Sequence, residues 1–288
     1  MKKSIAILLI LPLLLLSGCR KQESAKIAAT TLPVYEFTSF LCDGTDITVS
    51  RLVTENVSCL HDYTLQVSQM RAVEAAEVIV INGAGLEDFL EDALKESENI
   101  IDASEGLALS CGHHHEDSDV HHHEYDPHIW LSPEKAKQMC NTIARKLSVV
   151  YPQHATRISS NLQALTAKLD TLQAYGETEL GKLNNRQLVT FHDGFTYFAE
   201  SFDLHILKAV EEESGSEASA KELIELVRLV EENKIPAVFT ETNGSTAAAE
   251  IIAEEAEVKV YTLDMAMAGS SYFEAMYHNI DTIKEALE

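Results

Sequence analysis

The chain has 288 residues, enough for two domains of ordinary size. Its 46 Asp and Glu residues outnumber its 22 Lys and Arg, giving a net charge of −24. Such a surface repels nucleic acid and anionic lipid headgroups and attracts cations only diffusely.

Lys2 and Lys3 precede an apolar run from Ile5 to Leu16. The run is short of the roughly 20 apolar residues a membrane-spanning helix needs, and reads as a secretory signal. It ends Leu16-Ser17-Gly18-Cys19, which resembles a bacterial lipobox. The expectation is a signal peptide over 1–18, a diacylglycerol anchor on Cys19 and a tether over 19–26. The protein would then be extracytoplasmic, lipid-anchored to the cell membrane, and would not cross it. Cys42, Cys59, Cys111 and Cys140 remain, with three full connectivities open to them. Cys42–Cys59 is the first pairing to test, against the alternative that all four stay free.

From Ile27 the pattern alternates. Ile27–Thr30, Ile47–Val53, Val78–Ile81 and Ile100–Asp102 read as strands. Pro33–Cys42, Val67–Ala76 and Leu86–Lys95 read as the helices between them. A second round follows residue 185. Its strands are Gln187–Phe191, His205–Val210, Ala237–Thr240 and Lys259–Leu263. Its helices are Tyr197–Phe202, Lys221–Glu232, Thr246–Ala256 and Tyr272–Leu287. Between the rounds, Pro133–Val150 is one helix, Pro152 interrupts it, and a long helix runs from Gln153 to about Leu180. Strand–helix alternation predicts parallel sheets. The expected fold is α/β: two lobes, each a mainly parallel four-stranded sheet flanked by helices, joined by a long rigid helix. The first lobe would cover 27–150, the linker helix 151–181 and the second lobe 182–288.

Residues 111–125 hold six of the twelve histidines: His113, His114, His115, His121, His122 and His123. A tract of this composition cannot pack a core and is suited to loose, accessory metal contact. Four other positions fall where α/β folds bind ligands, at or near the carboxyl ends of strands: His61, His128, His192 and Asp264. Two come from each lobe.

The segments His61-Asp62-Tyr63, Asn82-Gly83-Ala84-Gly85-Leu86-Glu87 and Asp126-Pro127-His128-Ile129-Trp130 carry a resemblance, as do Phe191-His192-Asp193-Gly194-Phe195, Val238-Phe239-Thr240-Glu241 and Leu263-Asp264. Together they resemble the zinc/manganese ABC-importer solute-binding proteins, often called cluster A-I. The resemblance implies His61, His128, His192 and Asp264 as ligands of a transported ion and an ABC permease as partner. It implies a monomer with no catalytic residue. Three imidazoles and a carboxylate suit four-coordinate Zn²⁺, whereas Mn²⁺ prefers oxygen-rich surroundings. Manganese-type members place Glu where His192 stands, so zinc is favoured over manganese. Glu241 and Asp193 are candidates to orient the imidazoles from behind.

Two departures from the family pattern stand beside ligands. Thr64-Leu65-Gln66-Val67 replaces the usual Glu-Pro-Ser-Pro, and Met265 replaces a proline. Both remove backbone restraint. A zinc hydrolase is disfavoured, because no His-Glu-x-x-His stretch is present and Asp264 would have to act as base. An adhesin or a metal chaperone on the same fold is the remaining alternative.

Overall fold

The computed structural model describes residues 25–288 except 56, 58–59, 61–62, 96, 98, 111–124, 212–218, 243, 268 and 270. The expected signal peptide, Cys19, His61, Cys59, Cys111 and the six tract histidines lie outside the described residues. No helix among the described residues is long and apolar enough to cross a membrane.

The first lobe contains β1 (Ile27–Ala29), α1 (Leu32–Leu41), β2 (Val49–Arg51), α2 (Val67–Ala75), β3 (Val78–Ile81), α3 (Glu91–Leu94) and β4 (Ile100–Asp102). Its sheet runs β2-β1-β3-β4, with every neighbouring pair parallel. Ile27, Ala28 and Ala29 and the run Val78–Val80 are buried, as central strands covered on both faces require.

Leu86–Lys95 does not form the single helix its spacing predicts. A 3₁₀ turn (Asp88–Leu90) leads into the one-turn α3. The cause lies upstream, where Gly83, Ala84 and Gly85 all take left-handed φ values. The Glu87 carboxylate is drawn back to accept from Thr30 Oγ1 (2.6 Å), Asn82 N (2.7 Å) and Gly83 N (2.9 Å). Only glycine fits at 83, because a Cβ would stand 1.9 Å from Asp102 Oδ1.

The connecting block is α4 (Pro133–Val150), a 3₁₀ turn at Pro152–His154 and α5 (Ala155–Leu180). The 26 residues of α5 span about 39 Å at 1.5 Å per residue. Its buried face, Ile158, Leu165, Leu169 and Leu172, packs on α1 and α4 of the first half and on α9 of the second.

The second lobe repeats the architecture with β5 (Gln187–His192), α6 (Thr196–Ser201), β6 (His205–Glu211), α7 (Ala220–Glu232), β7 (Ala237–Glu241), α8 (Ala247–Glu255), β8 (Lys259–Leu263) and α9 (Tyr272–Leu287). Its parallel sheet runs β6-β5-β7-β8. Both sheets thus have the same winding, and in the second His192 ends β5 while Asp264 follows β8.

One core cluster runs from Ile27 and Val80 through Trp130 and Leu169 to Phe239 and Ile280. The lobes therefore share apolar packing. Cys42 and Cys140 are buried free thiols in that core, so the Cys42–Cys59 pairing is not formed. Burial pushes both thiols up, Cys42 to about 12, which keeps them inert as nucleophiles.

Candidate metal centre

The segment carrying His128 is fixed before the side chain does anything. Pro127 precedes a 3₁₀ turn, Ile129–Leu131, which feeds the Ser132-capped α4. The Pro127 carbonyl accepts from the buried Asn82 Nδ2 at 2.9 Å, tying this segment to the turn after β3. Asp126 Oδ1 then accepts the His128 backbone N–H (2.9 Å) and lies 2.8 Å from His128 Nδ1. When Nδ1 donates to that carboxylate, Nε2 keeps the lone pair that a metal ion would need.

His128 Nε2 faces His192 Nε2 at 3.3 Å, with the rings edge to face. His192 is the last residue of β5 and is buried. The two imidazoles come from different lobes, 64 residues apart. Two nitrogens bound to one tetrahedral zinc at 2.0–2.1 Å stand about 3.3–3.4 Å apart. The pair is therefore already spaced for a shared ion. Glu241, at the end of β7, places Oε2 3.9 Å from His192 Nδ1 and is also buried.

Asp264 follows the last residue of β8. Asn279 of α9 holds its backbone on both sides, accepting from Asp264 N and donating to its carbonyl, each at 2.7 Å. Its Oδ1 accepts from Ala266 N at 2.7 Å, and Ala266 takes a left-handed φ of 55°. Burial raises the Asp264 carboxyl above the usual range, with the Ala266 N–H opposing it. Asp193 lines a groove of about 630 Å³ beside β6 and α6.

The structure brings His128 and His192 together, with Asp126 and Glu241 behind them. Among the described residues, no three His, Cys, Asp or Glu side chains form a metal-holding group. His61 lies outside those residues, but the chain around it is restrained. Tyr63 Oη donates to Glu55 Oε2 (2.6 Å), and Gln66 Nε2 donates to Glu55 Oε1 (2.8 Å). Gln69 Nε2 donates to Leu52 O (2.7 Å), while Gln66 and Gln69 form the capping box of α2. Side-chain hydrogen bonds thus supply restraint where the family's prolines are missing.

Met265 does the same on the other side. Its carbonyl accepts from Trp130 Nε1 of the first lobe at 2.7 Å. Its methyl packs where a Cβ on Gly194 would intrude at 2.5 Å, beside His192. Asp126 is the residue of this candidate site that spacing did not single out. The signal was present, because a carboxylate two residues before a histidine can reach both its backbone N–H and its ring.

A family profile described as ZnuA, zinc-uptake complex component A periplasmic, matches residues 27–286. The chain is 31% identical over 257 residues to a putative metal-binding protein of Treponema pallidum, covering 84% of this chain and 81% of that one. It is 30% identical to the zinc-binding lipoprotein AdcA of Streptococcus pneumoniae, covering 100% of this chain but 62% of the relative. This chain therefore matches less than two thirds of AdcA. Among solved structures, a crystal structure of ZnuA superposes with a TM-score of 0.81 at 30% identity. That match covers 92% of this chain and all of the other.

Proposed function

Because the chain belongs to the zinc-uptake complex component A family, we propose that it captures Zn²⁺ in the cleft between its lobes and delivers it to the permease of an ABC importer. His61, His128, His192 and Asp264 are the proposed ligands. Asp126 and Glu241 orient the imidazoles. The observation that carries this is the 3.3 Å separation of two Nε2 atoms from opposite lobes, which fits one tetrahedral ion.

Three imidazoles with one carboxylate favour zinc over manganese. Four protein ligands leave no open position for a reacting water, which separates a carrier from a zinc hydrolase. The family is a metal-binding transport component and not an enzyme family. A neutral set of imidazoles and a single carboxylate also keeps the site's charge low, which suits uptake followed by release.

The proposed organisation is a signal peptide over 1–18, an anchor at Cys19, lobes over 27–150 and 182–288, and a linker over 151–181. The protein acts as a lipid-anchored extracytoplasmic monomer. The periplasmic description of the family and the lipoprotein name of the pneumococcal relative support that location. The tract histidines hold further ions loosely.

Isothermal titration of the purified protein with zinc tests the proposal. One tight ion and several weaker ones are expected. Deleting 113–123 should remove only the weak ones. Tight binding that survives loss of both His61 and His128 would overturn the ligand set.

A further inference from the structure

Trp130 stands two residues after His128 and is fully buried in the core the lobes share. Its indole N–H and its carbonyl both bond to the second lobe. The N–H donates to the Met265 carbonyl at 2.7 Å, and the Trp130 carbonyl accepts from Tyr272 Oη at 2.9 Å. Met265 directly follows Asp264. Tyr272 opens α9, the helix whose Asn279 holds the Asp264 backbone. The Tyr272 ring rests edge to face on Phe37 of α1, with ring centres 4.9 Å apart. The flanks of the same 3₁₀ turn are tied to α6. Tyr197 Oη donates to the Asp126 carbonyl at 3.1 Å, and Ser201 Oγ donates to Ser132 Oγ at 2.8 Å.

A buried indole N–H finds an acceptor in any well-packed protein. Here the place of the acceptor is what matters. His128 is held by Asp126, and the residue before it by Asn82, both in the first lobe. Asp264 is held by Asn279 in the second. Neither set of bonds fixes one of these residues relative to the other. The Trp130–Met265 bond does, because it joins the segment carrying His128 to the neighbour of Asp264.

We infer that Trp130 is a positioning residue of the metal site. Its indole N–H keeps the Asp264 segment in register with His128, and the Tyr272 hydroxyl keeps Trp130 in place. This deepens the zinc-binding proposal and rests on it. Losing the indole N–H strands the carbonyl of the buried Met265, which costs more than losing an exposed hydrogen bond. The effect runs through Asp264, since His128 retains the bonds of its own lobe.

The test uses the intact chain, Trp130→Phe, Tyr272→Phe, Asp264→Ala, and each aromatic change combined with Asp264→Ala. Each protein is titrated with zinc chloride, and its fold is checked by circular dichroism. Trp130→Phe should weaken the tight site about 5- to 30-fold, and Tyr272→Phe about fivefold. In the Asp264→Ala background both further losses should shrink to about twofold or less, as for residues that act through one partner. A packing defect would cost the same with or without Asp264, so the shrinkage is the discriminating readout. If Trp130→Phe fails to fold, Tyr272→Phe, which removes only a hydroxyl, carries the test. The positioning role is overturned if the folded variants bind like the intact chain, or if their losses are equal in the two backgrounds. An intact chain that takes up no tight zinc overturns the binding proposal itself. An Asp264→Ala chain that binds like the intact one overturns the ligand set. Either result takes the role of Trp130 with it.

Discussion

The two histidines that meet in the cleft are held in different ways. His128 sits on a 3₁₀ turn, with a carboxylate 2.8 Å from its ring and on its own backbone N–H. Asn82 fixes the residue before it. His192 ends a buried strand and has its carboxylate, Glu241, at 3.9 Å. Side-chain and backbone hydrogen bonds orient His128, while strand register and burial set the direction of His192. Hydrogen-bonded loops tolerate small movement but fail when one partner is lost. A strand end resists the loss of one partner, because the sheet itself sets the direction of the side chain.

Three substitutions would break or sharpen that contrast. His128→Ala should cost the most, more than about 100-fold in zinc affinity by titration, since losing a ligand exceeds the 10- to 100-fold typical of losing its orienting partner. Asp126→Asn should follow, with a loss of about 10- to 100-fold, because a neutral amide accepts from Nδ1 more weakly than a charged carboxylate. Glu241→Gln should lose about tenfold or less. If the Glu241 variant proves the weaker binder of the two, the proposed asymmetry between the lobes is wrong.

Gly83→Ala tests the scaffold beneath His128. Its left-handed φ of 82° and the clash with Asp102 should lower stability by about 1–3 kcal/mol, measured by thermal unfolding. A smaller effect is expected from Glu87→Gln. Burial pushes the Glu87 carboxyl from 4.5 up to about 7, against the pull of its three hydrogen bonds. A raised carboxyl binds its proton more tightly in the folded chain. Its contribution is therefore full below about pH 4.5 and lost as pH rises through about 7. Denaturant unfolding of the native chain should show that decline, and the Gln variant should flatten it. An unchanged slope would mean that another group carries it.

Much of the architecture was legible in the chain. Apolar runs such as Val78–Ile81 and Ala237–Thr240 mark strands buried on both faces, and the leucine spacing of α5 marks the connecting helix. Leu86–Lys95 misled, because helical spacing says nothing of a carboxylate drawn back onto Asn82 and Gly83. The same limit hid the restraint after His61. Thr64-Leu65-Gln66-Val67 looks loose beside a proline-rich pattern, yet Gln66 and Gln69 tie it to Glu55 and Leu52.

The sequence by itself determined the candidate residues, the order of the elements and the two-fold repeat of strand and helix. These follow from composition and local periodicity, which neighbouring residues decide among themselves. Only the tertiary structure decided that His128 and His192 meet at 3.3 Å, that the Asp126 carboxylate lies beside His128 Nδ1, and that the Tyr197 hydroxyl donates to the Asp126 carbonyl. Those contacts join lobes whose residues lie 64 and 71 positions apart. Distances of that kind depend on how two sheets pack through a shared core, and no local pattern encodes them.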